Sequence, residues 1–95
     1  AMSEPCEYEI MLMDGSELEF KKNGEWKTID MHHSVVPASV LATLPPTIMS
    51  YTESCCPGIP VCKIKKGFWY GYKVELVNDF ELVFSSKGVF KRIDD

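Results

Sequence analysis

The stretch YEIMLMDGSELEFKKNGEWKTID, Tyr8 to Asp30, decides the fold, because it returns as YKVELVNDFELVFSSKGVFKRID, Tyr72 to Asp94. The two align without a gap at an offset of 64. Tyr8, Leu12, Glu17, Leu18, Phe20, Gly24, Lys27, Ile29 and Asp30 recur as Tyr72, Leu76, Glu81, Leu82, Phe84, Gly88, Lys91, Ile93 and Asp94. Ile10 becomes Val74, and Trp26 becomes Phe90. Nine identities in 23 positions exceed chance for an ungapped pair and point to an internal duplication.

Each copy reads as a three-strand meander. Tyr8, Ile10 and Leu12 alternate with Glu9 and Met11, the period of a half-buried strand. Asp14-Gly15 signals a hairpin, expected as a two-residue turn. Leu18 and Phe20 then alternate with Glu17 and Glu19. Asn23-Gly24 predicts a second turn, and Trp26 to Asp30 a third strand. In the second copy Asn78-Asp79 and Lys87-Gly88 stand at the turns. Gly24 and Gly88 are expected in left-handed geometry.

Between the copies the period changes. Pro37 suits a helix start, with Ser34 or Val36 before it. Leu41, Leu44, Ile48, Tyr51 and Cys55 follow at helical spacings of three and four. Pro45-Pro46 interrupts that stripe, since proline lacks an N–H and clashes with the preceding turn. The expectation is a short helix, a break, and a second helix begun by Pro46 and stopped by Pro57-Gly58. Ile59 to Lys66 then reads as a strand with Cys62 and Ile64 on one face. Segregated strands and helix predict an α+β fold, an antiparallel meander sheet with a proline-broken helix on one face.

The chain has 95 residues, of which 45% are hydrophobic and 25% charged. That is ordinary globular composition, which excludes a disordered, collagenous or coiled-coil chain. It predicts a single domain over 1–95, with a partial repeat over 8–30 and a full unit over 37–95 whose meander spans 72–94. No run approaches the length of a membrane helix, so no membrane span is expected. A net charge of −4 argues against a nucleic-acid partner. The first unit has its meander but no helix and no fourth strand. Three explanations stand: the one broken helix covers an extended sheet, an N-terminal piece is missing, or a second chain supplies the rest.

These residues resemble a family. The pattern is Val36-Pro37-Ala38-Ser39-Val40-Leu41, Leu44-Pro45-Pro46-Thr47-Ile48, Tyr51, Pro57-Gly58 and Ile64-Lys65. It continues through Gly71-Tyr72-Lys73-Val74-Glu75-Leu76, Glu81-Leu82-Val83-Phe84 and Gly88 to Asp94. The chain is similar in this to the PepSY-like, "putative β-lactamase-inhibitor-like" proteins secreted by gut Bacteroidetes. The resemblance implies a periplasmic or secreted location. It also implies units of a helix on a four-stranded sheet and a binding or inhibitory role without a catalytic residue.

Candidate sites follow from residue chemistry. Phe68, Trp69 and Tyr70 form an aromatic run suited to a binding surface, because rigid rings contribute contact area at low entropy cost. Trp69 and Phe68 have no counterpart in the first copy; a packing role at a hairpin is the alternative. Met11 and Met13 point away from the helix side, where an exposed methionine strip can act as an adaptable contact. Cys6, Cys55, Cys56 and Cys62 are candidates for disulfides. Cys55 or Cys56 can meet Cys62 across Pro57-Gly58, worth roughly 2–3 kcal/mol, with Cys6 in a second bridge. Four reduced thiols are the alternative. His32-His33 point opposite ways on extended chain, and the cysteines lack paired zinc spacing, so no metal is expected. No cofactor and no catalysis are expected either. The reading is a non-catalytic module that binds a protein or peptide partner, possible homodimers included. The alternative is a structural module acting through sheet-edge pairing.

Overall fold

The computed structural model describes residues 8–32, 34–67 and 71–94. Seven strands form one antiparallel sheet in the order of the chain. They are β1 (Tyr8–Met11), β2 (Glu17–Phe20), β3 (Trp26–Asp30), β4 (Val61–Gly67), β5 (Gly71–Leu76), β6 (Glu81–Phe84) and β7 (Phe90–Asp94). Between β3 and β4 stand α1 (Ala38–Leu41) and α2 (Pro46–Cys55). The fold is α+β, and the helix breaks where Pro45-Pro46 requires.

The turns differ from the two-residue form that the dipeptides predict. Leu12 N–H donates to Ser16 O at 2.8 Å and Gly15 N–H to Leu12 O at 3.0 Å, leaving Met13-Asp14-Gly15 as a three-residue loop. Lys21–Glu25, Leu76–Phe80 and Ser85–Val89 close in the same way. Only the third loop residue takes positive φ, which is Gly15, Gly24, Asp79 or Gly88. One left-handed residue after a tight turn is the geometry of a three-residue hairpin. Side chains lock all four loops, the last through Ser85 Oγ, which accepts from the N–H groups of Lys87 and Val89. Asp14, Asn23 and Asn78 accept hydrogen bonds from the N–H groups of Ser16, Glu25 and Phe80.

The two meanders pair in equivalent registers. Glu17 faces Asp30 as Glu81 faces Asp94, and each pair of strands shifts register one residue before Phe20 or Phe84. A further irregularity lies in β4, between Val61 and Lys63. That bulge resets the alternation: Val61 enters the core opposite Leu76, and Cys62 is left half-buried rather than beside Ile64.

The core lies between sheet and helices. One row across the inner face reads Ile10, Leu18, Ile29, Ile64, Val74, Leu82 and Ile93. Its middle is buried under Leu44 and Ile48 of the helical segment, while Ile10 and Ile93 at the two ends are exposed. Full burial of a side chain such as Ile48 contributes about 1.5–3 kcal/mol. Thr47 Oγ1 donates to Gly88 O at 2.8 Å and ties α2 to the β6–β7 turn. Trp26 Nε1 donates to Thr43 Oγ1 at 3.0 Å, and that hydroxyl donates to Val40 O, tying the α1–α2 link to β3. Nothing in these ties reaches β1 or β2. The broken helix therefore covers the middle of the sheet, β3 included, and stops short of β1 and β2.

Candidate functional site

The inner face carries an aromatic row beside the aliphatic one. Tyr8 pairs with Phe20 and Phe20 with Trp26; Tyr72 pairs with Phe84 and Phe84 with Phe90. Lys66 sits between the two triplets, its ammonium 4.8 Å from the Trp26 ring centre and 5.8 Å from that of Tyr72. Such a cation over rings contributes about 0.5–1 kcal/mol when exposed. On the second triplet Tyr51 of α2 stacks at 4.2 Å over Phe90 and meets Phe84 edge-on at 5.9 Å. Sequence reasoning found each aromatic position but not the continuous row. The signal was there: all inner-face residues of one meander recur identically or conservatively in the other.

Over β1 and β2 that face has no helix on it among the described residues. Leu12, Leu18, Phe20, Trp26, Ile29 and Val40 are among the residues lining an apolar groove of about 260 Å³. Val40 of α1 is among its lining residues, so the groove adjoins the helix–sheet interface. Apolar side chains oriented by a rigid sheet, with one side open, suit a hydrophobic segment of another molecule.

The outer face has a different chemistry. One row reads Glu9, Glu19, Thr28, Lys65, Lys73, Val83 and Arg92; the next reads Met11, Glu17, Asp30, Lys63, Glu75, Glu81 and Asp94. Lys63 meets Asp30 at 3.6 Å and Lys73 meets Glu81 at 4.0 Å. Val83 is buried although it faces outward. Its register neighbours Lys73 and Arg92 have long aliphatic stems able to cover it.

Met11 is 66% exposed at the edge of the acidic row, and Met13 projects fully from the β1–β2 turn. Phe68, Trp69, Tyr70 and Cys6 lie outside the described residues, as does His33. Cys55, Cys56 and Cys62 carry free thiols in this structure. The Cys56 thiol lies 3.5 Å from that of Cys55, and this hydrogen bond, then burial, then the Cys55 charge hold it above the ordinary thiol range. Burial first, then the carboxylates of Glu75 and Asp30, push Cys62 up. Such thiols stay protonated at neutral pH and make poor nucleophiles. Among the described residues no three His, Cys, Asp or Glu side chains group to hold a metal ion.

These features define an α+β protein whose antiparallel sheet is helix-covered over its middle strands. The model of the PepSY-like family, described as "putative beta-lactamase-inhibitor-like", matches residues 6–92. The chain belongs to that family. It is similar to a "putative periplasmic protein" of Bacteroides vulgatus, at 30% identity and a TM-score of 0.81 over 93% of this chain and 66% of that one. A second B. vulgatus protein, described as a "putative periplasmic protein of unknown function", shows 34% identity and a TM-score of 0.79 over 93% and 67%. A "putative calcium-regulated periplasmic protein" of Bacteroides thetaiotaomicron shows 33% and 0.80 over 93% and 66%. The chain thus spans about two thirds of these relatives. No curated protein matches it. The periplasmic setting of these relatives agrees with the extracytoplasmic location that the resemblance implies. No helix among the described residues is long and apolar enough to cross a membrane.

Proposed function

We propose that the chain is an extracytoplasmic, non-catalytic module that binds a protein or peptide partner on the open inner face of its first meander. The observation that carries this reading is the apolar groove over Leu12, Leu18, Phe20 and Trp26. Equivalent registers in the two meanders support treating them as copies of one unit. Met11, on the outer face, and Met13, in the β1–β2 turn, are proposed as a separate contact at the same end of the sheet. Phe68, Trp69 and Tyr70 are proposed as a second contact at the β4–β5 connection.

A photo-crosslinker placed at Leu12, and in a separate protein at Glu75 on the outer face, tests this in the native periplasm or secretion. The Leu12 protein should give a discrete adduct and the Glu75 protein none. Adducts of equal yield from both faces would contradict the reading. Addition of the protein to a panel of β-lactamases and proteases tests the narrower inhibitor reading, which unchanged rates would remove.

A second reading has its own observation. All four residues of β1 are exposed at a sheet edge, and Tyr8, Ile10 and Met11 are apolar. Such an edge can pair with another strand, giving an assembly module. Light scattering over a wide concentration range separates the two: a persistent monomer contradicts edge pairing.

A further inference from the structure

We propose that Cys55 and Cys56 form a thiol–disulfide exchange site, which a disulfide donor of the extracytoplasmic space closes into a reversible vicinal disulfide. The site lies outside the binding reading and shares no residue with the groove. Cys55 is the last residue of α2, and Cys56 is its C-cap. Side chains at adjacent helical positions do not face each other. Here they meet, because Cys56 leaves the helix at φ −134° and ψ 67°. Pro57 is the reason: its ring disfavours helical geometry at the residue before it. The Cys56 thiol consequently donates to the Cys55 sulfur, with the two sulfurs 3.5 Å apart. Cys55 is exposed and Cys56 half-buried, so a donor can reach the pair.

The remaining described thiol is engaged elsewhere: Cys62 donates to Glu75 O of β5 at 3.6 Å. Among the described residues no third His, Cys, Asp or Glu side chain groups with the pair. Two sulfurs alone lack the ligand set of a closed metal site, which leaves disulfide chemistry.

That chemistry is two successive exchanges. The Cys55 thiol loses its proton to solvent and its sulfur attacks one sulfur of the donor disulfide. The donor's other sulfur leaves with the bonding pair and takes up a proton, and Cys55 carries a mixed disulfide. Cys56 then loses its proton, attacks the Cys55 sulfur and expels the second donor thiol. Two protein thiols are oxidised, and one donor disulfide is reduced to two thiols. Cys55 attacks first because it is the exposed member. The Cys55 hydrogen bond, then burial, then the Cys55 charge keep Cys56 protonated until the mixed disulfide forms beside it.

Chain geometry makes the closed bond labile. Adjacent Cα atoms lie about 3.8 Å apart across a trans peptide, short of the roughly 4.4–6.8 Å that disulfides usually span. A strained disulfide is the more easily reduced. It closes almost no loop, so it adds little to stability. The pair suits reversible exchange and not stapling of the fold.

The test takes the whole chain, reduced and then held with glutathione disulfide as the donor. Remaining thiols are alkylated, and the bonds are mapped by tandem mass spectrometry. The chain should lose two hydrogens at Cys55–Cys56, and reduced glutathione should restore them. Cys62→Ser, alone or with Cys6→Ser, should leave closure unchanged. Cys56→Ser should stop at a persistent glutathione adduct on Cys55. Cys55→Ser should form its adduct on Cys56 several-fold more slowly. A bond from either residue to Cys62 or Cys6 would overturn the inference. Glutathione retained on both residues, a pair that stays reduced, or closure that reduced glutathione cannot reverse would overturn it as well. Mapping of the unsubstituted chain decides among these outcomes even where a variant folds poorly. Failure here leaves the groove reading standing, because the Leu12 crosslink tests that separately.

Discussion

Leu12 and Leu76 stand at equivalent turns of the two meanders, yet Leu12 is 39% exposed and Leu76 fully buried. Ile10 and Val74 repeat the contrast, at 47% and 0%. Strand pairing is part of the cause: the registers and loops within the two meanders agree, but β1 is a sheet edge whereas β5 lies between β4 and β6. The rest comes from the helical segment, which packs on the middle of the sheet and leaves the edge residues Ile10 and Ile93 exposed. The middle of the hydrophobic sheet face is buried, and the part over β1 and the β1–β2 turn is exposed among the described residues. The comparison separates what a strand sequence encodes from what its cover decides.

Truncating one residue at equivalent places should show this as stability. Phe84→Ala removes a fully buried ring that touches Tyr51 and Phe90, and should cost about 3–5 kcal/mol in equilibrium denaturation. Phe20→Ala, at a half-buried site, should cost about 1–2 kcal/mol. Equal losses would mean that the first face is covered in solution.

Backbone crowding gives a second contrast. A Cβ on Gly71 would lie well inside 3.0 Å of the Ser85–Ser86 backbone, at φ +89°, so Gly71→Ala should cost more than about 2 kcal/mol. A Cβ on Gly24, at φ +91°, meets nothing within 4 Å. Gly24→Ala should therefore cost only the conformational penalty of about 1–2 kcal/mol. Thermal unfolding of the two variants checks the order.

A smaller effect lies at the one non-glycine turn residue of positive φ among the described residues. Asp79, at φ 75°, stands where the first meander has Gly15. Asp79→Gly should relieve strain and stabilise by up to about 0.5–1 kcal/mol, read as a raised Tm.

Cys62, on β4 between the meanders, gives the mildest test. Its raised thiol value means that the folded state favours the protonated form. That contribution is complete below the unfolded thiol's value and fades as pH rises through the raised folded value. Alkylation of Cys62 in mildly alkaline buffer should be slower in folded than in denatured protein. Equal rates would show that burial and the Glu75 and Asp30 charges do not act on it.

Much of this was legible in the sequence. Alternation at Tyr8-Ile10-Leu12 and Tyr72-Val74-Leu76 set the inner face, and Pro45-Pro46 set the helix break. Periodicity could not see the bulge at Cys62, because an inserted residue changes phase without changing composition. The dipeptides marked the turns but not their length, since one positive-φ residue serves both two- and three-residue loops. The count of two meanders and one helical segment left open whether that segment covers the whole sheet. The groove's location required knowing how far α1 and α2 reach, which is a matter of three-dimensional geometry.

The most direct test is the solvent exposure of methyl groups in the isolated protein, read by NMR with a soluble paramagnetic agent at low concentration. Ile10, Leu12 and Leu18 should relax strongly, and Val74, Leu76 and Leu82 hardly at all. Equal protection of both sets would contradict an open first face and the binding role built on it.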